Sequence, residues 1–202
     1  MKKWIILLGA AGLGLYLFMD KSPRIKNINN DGTSIVAFGD SLTAGYGAAR
    51  GSSYPDVLAQ KVNMPVVNLG LSGETAAHAP TRLPEVLAQN PYMVLIEFGA
   101  NDFMQRRDQE KAWKAVAQIV DSVQESGAIA VIVDTGGPGM GAYTQAYEKM
   151  AQKKQAVFVP GILKDIFNKR QFKSDSVHPN SAGYAVVAEH VYEHIKPYLK
   201  NI

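Results

Sequence analysis

The sequence contains no cysteine among its 202 residues. This absence excludes a disulfide framework and thiolate chemistry, and it is compatible with either side of a membrane. The excess of positive charge is small, because the net charge is only +3 and no basic block occurs beyond Lys21, Arg24 and Lys26. A nucleic-acid partner is therefore not predicted. The chain also lacks internal repeats and low-complexity stretches, so we expect one ordinary domain behind an N-terminal segment.

Residues 1–19 differ from the rest of the chain. Lys2 and Lys3 precede an uncharged, mostly apolar run, Trp4–Met19, which is the order of residues in a secretory signal. As a helix this run would span about 24 Å, somewhat less than a hydrocarbon core of about 30 Å. No pair of small residues marks a cleavage site, so an uncleaved membrane anchor is favoured over a removed signal peptide. We therefore expect an exported, periplasmic or extracytoplasmic protein tethered to the inner membrane, or a secreted one if the segment is cleaved.

Residues 20–33 are polar and rich in asparagine, which predicts a linker before a single domain at 34–202. Within that domain, apolar and β-branched runs alternate with segments of helical period. The runs predicted as strands are Ile35–Phe38, Val66–Leu69, Met93–Phe98, Ala128–Val133 and Ala156–Val159. The predicted helices are Ser53–Lys61, Thr81–Gln89, Gln109–Glu125, Tyr143–Lys153 and Ser181–Tyr198. This alternation predicts an α/β fold, a flavodoxin-like three-layer α/β/α sandwich around a five-stranded parallel sheet.

Ser41 follows the first predicted strand, within the stretch Gly39–Thr43. A glycine that closes a short apolar run indicates a tight turn, which would place the serine hydroxyl at the carboxyl end of a strand. Ligands bind at that edge in open α/β sheets. Asp40 and Ser41 are also favoured N-cap residues, so a purely structural role as a helix cap is the alternative.

Polar clusters follow the next strands as well, and a parallel sheet brings these strand ends to one edge. The chain resembles an SGNH hydrolase of the GDSL esterase and lipase family, and it is similar to the bacterial thioesterase/lysophospholipase and arylesterase branch. The four family blocks occur in order at Gly39–Leu42, Asn68–Gly73, Gly99–Asp102 and Asp175–Pro179. The resemblance implies that Ser41 is the nucleophile, His178 the base and Asp175 the residue that orients the histidine. It also implies an oxyanion hole made by the backbone N–H groups of Ser41 and Gly73 and the side-chain amide of Asn101.

Elementary chemistry agrees with these implied roles. A histidine titrates near neutral pH, so it can accept the serine proton and return it to the leaving group. An aspartate three residues earlier can accept from the other ring nitrogen and fix the tautomer. The sequence departs from the commoner family pattern at Glu74, where aspartate is frequent, and at Ala100, where glycine is frequent. Neither departure touches the predicted chemistry, and Asp102 is interpreted as a structural cap or turn residue.

Two further motifs suggest other chemistry. His190–His194 fits the inverted zinc-protease pattern H-x-x-E-H. Both histidines, however, fall at the boundary of the apolar helix face, and a zinc site would need a third ligand. Gly136–Gly141 lacks the lysine of a phosphate-binding loop and is interpreted as a loop that lines the substrate pocket. Leu42, Met140 and Tyr143 are the candidate pocket residues, and no metal or cofactor is predicted.

The predicted function is hydrolysis of carboxylic esters or thioesters through an acyl-serine intermediate. The substrate would be a small-molecule or lipid ester. Two alternatives remain: a carbohydrate or peptidoglycan O-acetylesterase, which export would suit, and a non-catalytic flavodoxin-like module that binds a ligand at the same edge. Acyl chain length, leaving group and oligomeric state cannot be read from the sequence, because loops set specificity in such a fold.

Overall fold

Five parallel strands form one sheet in the computed structural model, which describes residues 24–200. The strands are β1 (Ser34–Gly39), β2 (Val66–Asn68), β3 (Pro91–Glu97), β4 (Ile129–Val133) and β5 (Val157–Val159). They lie in the order β2-β1-β3-β4-β5. The strand order changes direction at β1, so a crevice opens between the carboxyl ends of β1 and β3, where ligands bind in folds of this type.

Seven α-helices connect the strands within the described residues. They are α1 (Ser41–Ala44), α2 (Tyr54–Ala59), α3 (Leu83–Leu87), α4 (Ala100–Met104), α5 (Gln109–Glu125), α6 (Gly141–Lys154) and α7 (Ser181–Ile195). Helix α5 has the predicted bounds, because Asp108 caps it by accepting from two backbone N–H groups of the first turn. The predicted C-terminal helix becomes a 3₁₀ turn after Ile195, since Pro197 has no N–H to continue the α-helix.

The sheet is covered on both faces, which confirms the predicted three-layer α/β/α sandwich. Alternate side chains of β3 point to opposite sides: Val94 and Ile96 pack into a core with α5 and α6, whereas Met93 and Leu95 pack into a core with α2 and α7. All four are buried. Burying an aliphatic side chain of this size contributes about 1.5–3 kcal/mol, so strands covered on both faces form a rigid platform for the residues that follow them.

Residues 24–33 of the predicted linker pack against the domain. The side-chain amide of Asn27 donates to the carbonyl of Ala128 at 2.9 Å, and that of Asn30 donates to the carbonyl of Tyr92 at 3.2 Å. Both carbonyls lie at the start of a strand, so the described part of the linker runs along the amino-terminal edge of the sheet. The predicted anchor at 1–19 lies outside the described residues, and no helix within 24–200 is both long and apolar enough to cross a bilayer.

Candidate active site

The turn that carries Ser41 joins β1 directly to α1. Asp40 caps α1, since its Oδ1 accepts the N–H of Leu42 at 3.0 Å, and Ser41 is the first helical residue. A side chain at Gly39 would lie 2.6 Å from the backbone oxygen of Glu97, so only glycine allows β1 and β3 to end this close together. The capping role of Asp40 and a role for the half-buried hydroxyl of Ser41 are thus compatible, because they belong to successive residues.

Ser41, His178 and Asp175 form a continuous chain of hydrogen bonds. Ser41 Oγ lies 3.0 Å from His178 Nε2, and His178 Nδ1 lies 2.8 Å from Asp175 Oδ2. The other oxygen of Asp175 accepts the backbone N–H groups of His178 and Val177, both at 2.7 Å. These hydrogen bonds, the one from the His178 backbone first, lower the pKa of Asp175 to about 2. The ionised carboxylate places the imidazole proton on Nδ1 and leaves Nε2 free to accept the proton of Ser41.

The three predicted oxyanion donors differ in whether they already have a hydrogen-bond acceptor in the protein. Among residues 24–200, neither the backbone N–H of Ser41 nor that of Gly73 has a recorded acceptor. Gly73 has φ +82°, a left-handed conformation that glycine adopts without a steric penalty. The side-chain amide of Asn101 donates both of its hydrogens, to Asp40 Oδ2 at 3.0 Å and to the carbonyl of Glu74 at 2.9 Å. Asn101 is therefore fixed in orientation, and it must share a hydrogen in order to bind an oxyanion.

A pair of buried carboxyl groups, Asp40 and Glu97, lies next to the turn that carries Ser41. Glu97 Oε2 accepts the hydroxyl of Thr43 at 3.1 Å and the backbone N–H of Asp40 at 3.4 Å, and Oε1 accepts the hydroxyl of Thr135 at 3.3 Å. Burial raises the pKa of Glu97 well above its ordinary value, and the neighbouring charge of Asp40 raises it further. Burial also raises the pKa of Asp40, against the lowering effect of the Leu42 N–H. Because the pKa of Asp40 is raised only to about 6, near neutral pH Asp40 is ionised and the pair keeps one proton, on Glu97.

This proton makes the folding stability depend on pH. Above the ordinary glutamate pKa of about 4.3, an unfolded chain releases a proton that folded Glu97 keeps, so stability falls as pH rises towards the raised pKa. Glu97→Gln removes this titration, which contributes up to about 1.4 kcal/mol per pH unit. We expect the free energy of unfolding in urea to fall less between pH 5 and pH 8 in the variant than in the wild type. If the free energies of unfolding of the variant and the wild type changed equally with pH, Glu97 would be ionised in the folded protein.

An apolar cavity of about 160 Å³ opens beside Ser41. Leu42 and Met140, two of the three candidate pocket residues, line it together with residues that include Phe103 and Phe167. Tyr143 does not line it: its buried ring packs edge-on against other aromatic rings, which places it in the core between α5 and α6. This cavity can accept an apolar group attached to a carbonyl carbon at Ser41.

Two further side chains near the site were not predicted to have a role. Tyr46 is 56% exposed and its ring centroid lies 4.5 Å from that of His178, so it covers one side of the imidazole.

The carboxylate of Glu74 is buried and pairs with Arg82 at 2.7 Å. That ion pair anchors the residue that follows Gly73, so the glutamate at this position restrains the loop that contains the predicted oxyanion donor.

The zinc-protease pattern does not form a metal site in the structure. His190 Nε2 contacts the carbonyl of Pro160 at 2.6 Å, and His194 Nδ1 contacts the carbonyl of His190 at 2.8 Å. No group of three or more possible metal ligands occurs within residues 24–200. The glycine-rich loop follows β4, and Gly137 and Pro138 line the apolar cavity as expected.

Comparisons with known proteins agree with this geometry. Residues 37–186 match the model of the GDSL-like lipase/acylhydrolase family. The chain is 26% identical over 174 residues to the thioesterase 1/protease 1/lysophospholipase L1 of Escherichia coli K12, covering 81% of this chain and 84% of that protein. It is 27% identical over 178 residues to an arylesterase of Vibrio mimicus, covering 82% and 89%. The structure of a psychrotrophic esterase, EstA from Pseudoalteromonas sp., superposes with a TM-score of 0.73 at 26% identity, covering 82% and 98%. Because the family match extends over most of the sequence, this protein belongs to the GDSL-like lipase/acylhydrolase family and is a carboxylic ester hydrolase.

Proposed function

We propose that the protein hydrolyses carboxylic esters and thioesters of small molecules or lipids through an acyl-enzyme at Ser41. Ser41 Oγ attacks the carbonyl carbon while His178 Nε2 takes its proton, and the resulting imidazolium is stabilised by Asp175. The imidazolium then protonates the departing alkoxide or thiolate. A water molecule, deprotonated by the same nitrogen, attacks the acyl-serine and releases the acid.

The observation that carries this proposal is the unbroken hydrogen-bond chain from Asp175 through His178 to Ser41. In addition, the backbone N–H groups of Ser41 and Gly73 have no recorded acceptor within the described residues and are available as donors. This arrangement supports the proposed roles of Ser41 as nucleophile, His178 as base and the two N–H groups as oxyanion donors. Preorganised donors of this kind account for much of the rate enhancement in acyl transfer.

The apolar cavity favours an acyl ester substrate over an O-acetylated glycan. One water molecule occupies about 30 Å³ in the liquid, so a cavity of about 160 Å³ has room for several carbons rather than a single methyl group. Its lining includes Leu42, Phe103 and Met140, which offer no hydrogen bonds to a sugar. We expect butyryl to octanoyl esters to react faster than acetyl esters.

The N-terminal segment supports export with a membrane tether. Lys2 and Lys3 precede the apolar run Trp4–Met19 in the order of an export signal. The described chain begins at the amino-terminal edge of the sheet, whereas Ser41 stands at the carboxyl edge. A tether of this kind would leave the catalytic edge facing away from the bilayer that holds it.

A substrate panel tests the proposal. The full chain is expected to hydrolyse p-nitrophenyl esters from acetyl to palmitoyl, with a maximum at medium length, and to cleave a thioester of the same acyl group. Its activity should be recovered in the membrane fraction of the expressing cells and should be unaffected by a chelator. A fluorophosphonate is a suitable probe, because the related esterase EstA was crystallised with monoethylphosphonate as inhibitor. Fluorophosphonate labelling distinguishes this enzyme from a ligand-binding module, which would remain unlabelled.

Absence of ester hydrolysis across the whole panel would contradict the proposed function. Fastest turnover of acetylated glycans would favour the O-acetylesterase. Activity in the culture medium alone would contradict the membrane tether without affecting the chemistry.

A further inference from the structure

The side-chain amide of Asn101 is held by a network that continues away from the substrate into the core. Its hydrogen bond to Asp40 Oδ2 connects it to a carboxyl pair that the chemistry at Ser41 does not itself require. We propose that Glu97 is a positioning residue for ester hydrolysis, which acts through Asp40 to fix the Asn101 amide where the oxyanion forms. This inference rests on the proposed function.

Glu97 is tied to three separate parts of the fold. Gly39 of β1 is in register with Glu97 of β3, so Asp40 comes directly beside it at the strand ends. One carboxyl oxygen accepts from the N–H of Asp40 and the hydroxyl of Thr43, and the other accepts from Thr135, which follows β4. Glu97 is entirely buried. Its position is therefore set by β1, α1 and β4 together, and it cannot move independently of the nucleophile turn.

Asp40 transmits this position to the oxyanion donor. Its Oδ1 accepts the N–H of Leu42, next to the nucleophile, and its Oδ2 accepts from Asn101. Glu97 contacts Asp40 directly, since its Oε2 accepts the backbone N–H of Asp40 at 3.4 Å, and from this position a protonated Glu97 carboxyl can donate to the Asp40 carboxylate. One side chain thus orients both the turn that presents Ser41 and the amide that faces it.

The proton on Glu97 also sets the net charge of the Asp40–Glu97 pair. Titratable groups that act electrostatically on Glu97 or Asp40 include Tyr54, Asp102, Tyr147, His178 and Tyr184. Of these only His178 can become positive, so an ionised Glu97 would add a second buried negative charge without a cation to balance it. The proton on Glu97 limits the pair to one charge.

The proton on Glu97 also affects whether the Asn101 amide can donate a hydrogen bond to the oxyanion. Both hydrogens of its amide are already donated, so the oxyanion must compete with Asp40 for one of them. Donation from Glu97 withdraws electron density from the Asp40 carboxylate and weakens its hold on the amide hydrogen. The hydrogen then becomes available to the oxyanion without any movement of the Asn101 side chain.

The test is a double-mutant cycle between Glu97 and Asn101, with kcat and KM measured on p-nitrophenyl butyrate. Glu97→Leu removes the donor to Asp40, and we expect kcat to fall by about 10²-fold, the effect of a weakened oxyanion donor, with KM unchanged within about twofold. Glu97→Gln keeps a donor for Asp40 and an oxygen that accepts from Thr135, and the hydroxyl of Thr43 can donate instead to Tyr54, which lies 3.2 Å away. Its kcat should therefore stay within about fivefold of the wild type. When Asn101 is already alanine, Glu97→Leu should cost less than about threefold, because residues that act through one another are not additive.

Each opposite result overturns the proposal. A full additional loss in the Asn101→Ala background would show that Glu97 does not act through Asn101. The proposal would also be contradicted if kcat of Glu97→Gln fell as far as that of Glu97→Leu, or if Glu97→Leu changed only KM. Circular dichroism checks the fold, and Glu97→Met replaces Glu97→Leu in the cycle if the leucine variant unfolds. Wild-type turnover separates the two hypotheses, since an inactive wild type contradicts the proposed function and an active one with an additive cycle contradicts only the role of Glu97.

Discussion

Ser41→Ala is expected to reduce kcat on p-nitrophenyl butyrate by about 10⁴- to 10⁶-fold, the loss typical of removing a triad nucleophile. The substitution deletes the one atom that attacks the ester, while the N–H groups of residues 41 and 73 remain in place. Residual turnover would then come from a water molecule activated by His178. The loss should appear in kcat, because the apolar cavity that binds the acyl group is unchanged.

The fold should not be affected by this substitution. The only recorded side-chain hydrogen bond of Ser41 within the described residues is the one to His178, so the unfolding midpoint should stay close to that of the wild type. Ser122→Ala on α5 is a matched control, since it makes the same chemical change far from the site. That control should keep full activity and fluorophosphonate labelling, whereas Ser41→Ala should lose both. Undiminished turnover in Ser41→Ala would refute the assignment of the nucleophile.

Much of the architecture followed from local patterns in the sequence. The apolar runs that end at Phe38, Leu69 and Phe98 predicted strands whose carboxyl ends meet, and the structure confirms the parallel sheet that they form. Strand direction brings Ser41 and Asn101 to one edge, and the start of the C-terminal helix, which follows His178, can lie on the same edge. The side-chain distances between them depend on loop conformation, which only the structure shows.

Glu97 shows what local patterns miss. The pattern of Met93–Phe98 predicts an apolar strand but no role for Glu97, the single acid within it. A charged residue in a strand covered on both faces is nevertheless a signal of a buried polar network. Its partners could not be named in advance. Thr43 and Thr135 are distant in sequence and meet Glu97 only because β1, β3 and β4 are adjacent in the sheet.

Tyr143 and the asparagines before β1 show a second limit. Helical periodicity marks the apolar face of α6, but it does not say whether a given side chain on that face reaches the cavity or the core; Tyr143 reaches the core. Asn27 and Asn30 have the composition of a linker, yet their amides donate to carbonyls about 100 and 60 residues away. In both cases the deciding contact is tertiary.

Asp175→Asn is expected to lower kcat by about 10³- to 10⁴-fold with little change in KM, because the exchange reverses the tautomer of His178, the proposed base. Asp175 Oδ1 accepts two backbone N–H groups at 2.7 Å, so the amide oxygen of an asparagine would take that place. The amide NH₂ group would then face His178 Nδ1 and donate to it. The imidazole proton would move to Nε2, which could no longer accept from Ser41.

The structure also supplies a matched control for this substitution. Asp165→Asn makes the same change at an exposed carboxylate that has no recorded hydrogen bond among residues 24–200, and it should leave kcat within about twofold, as expected for a surface substitution. Since the pKa of Asp175 is lowered to about 2, the carboxylate stays ionised across an assay range of pH 5 to 9, and the defect should persist over that whole range. An Asp175→Asn variant that keeps more than a tenth of wild-type kcat would show that Asp175 does not set the tautomer, because no other acceptor contacts His178 Nδ1 in the described residues.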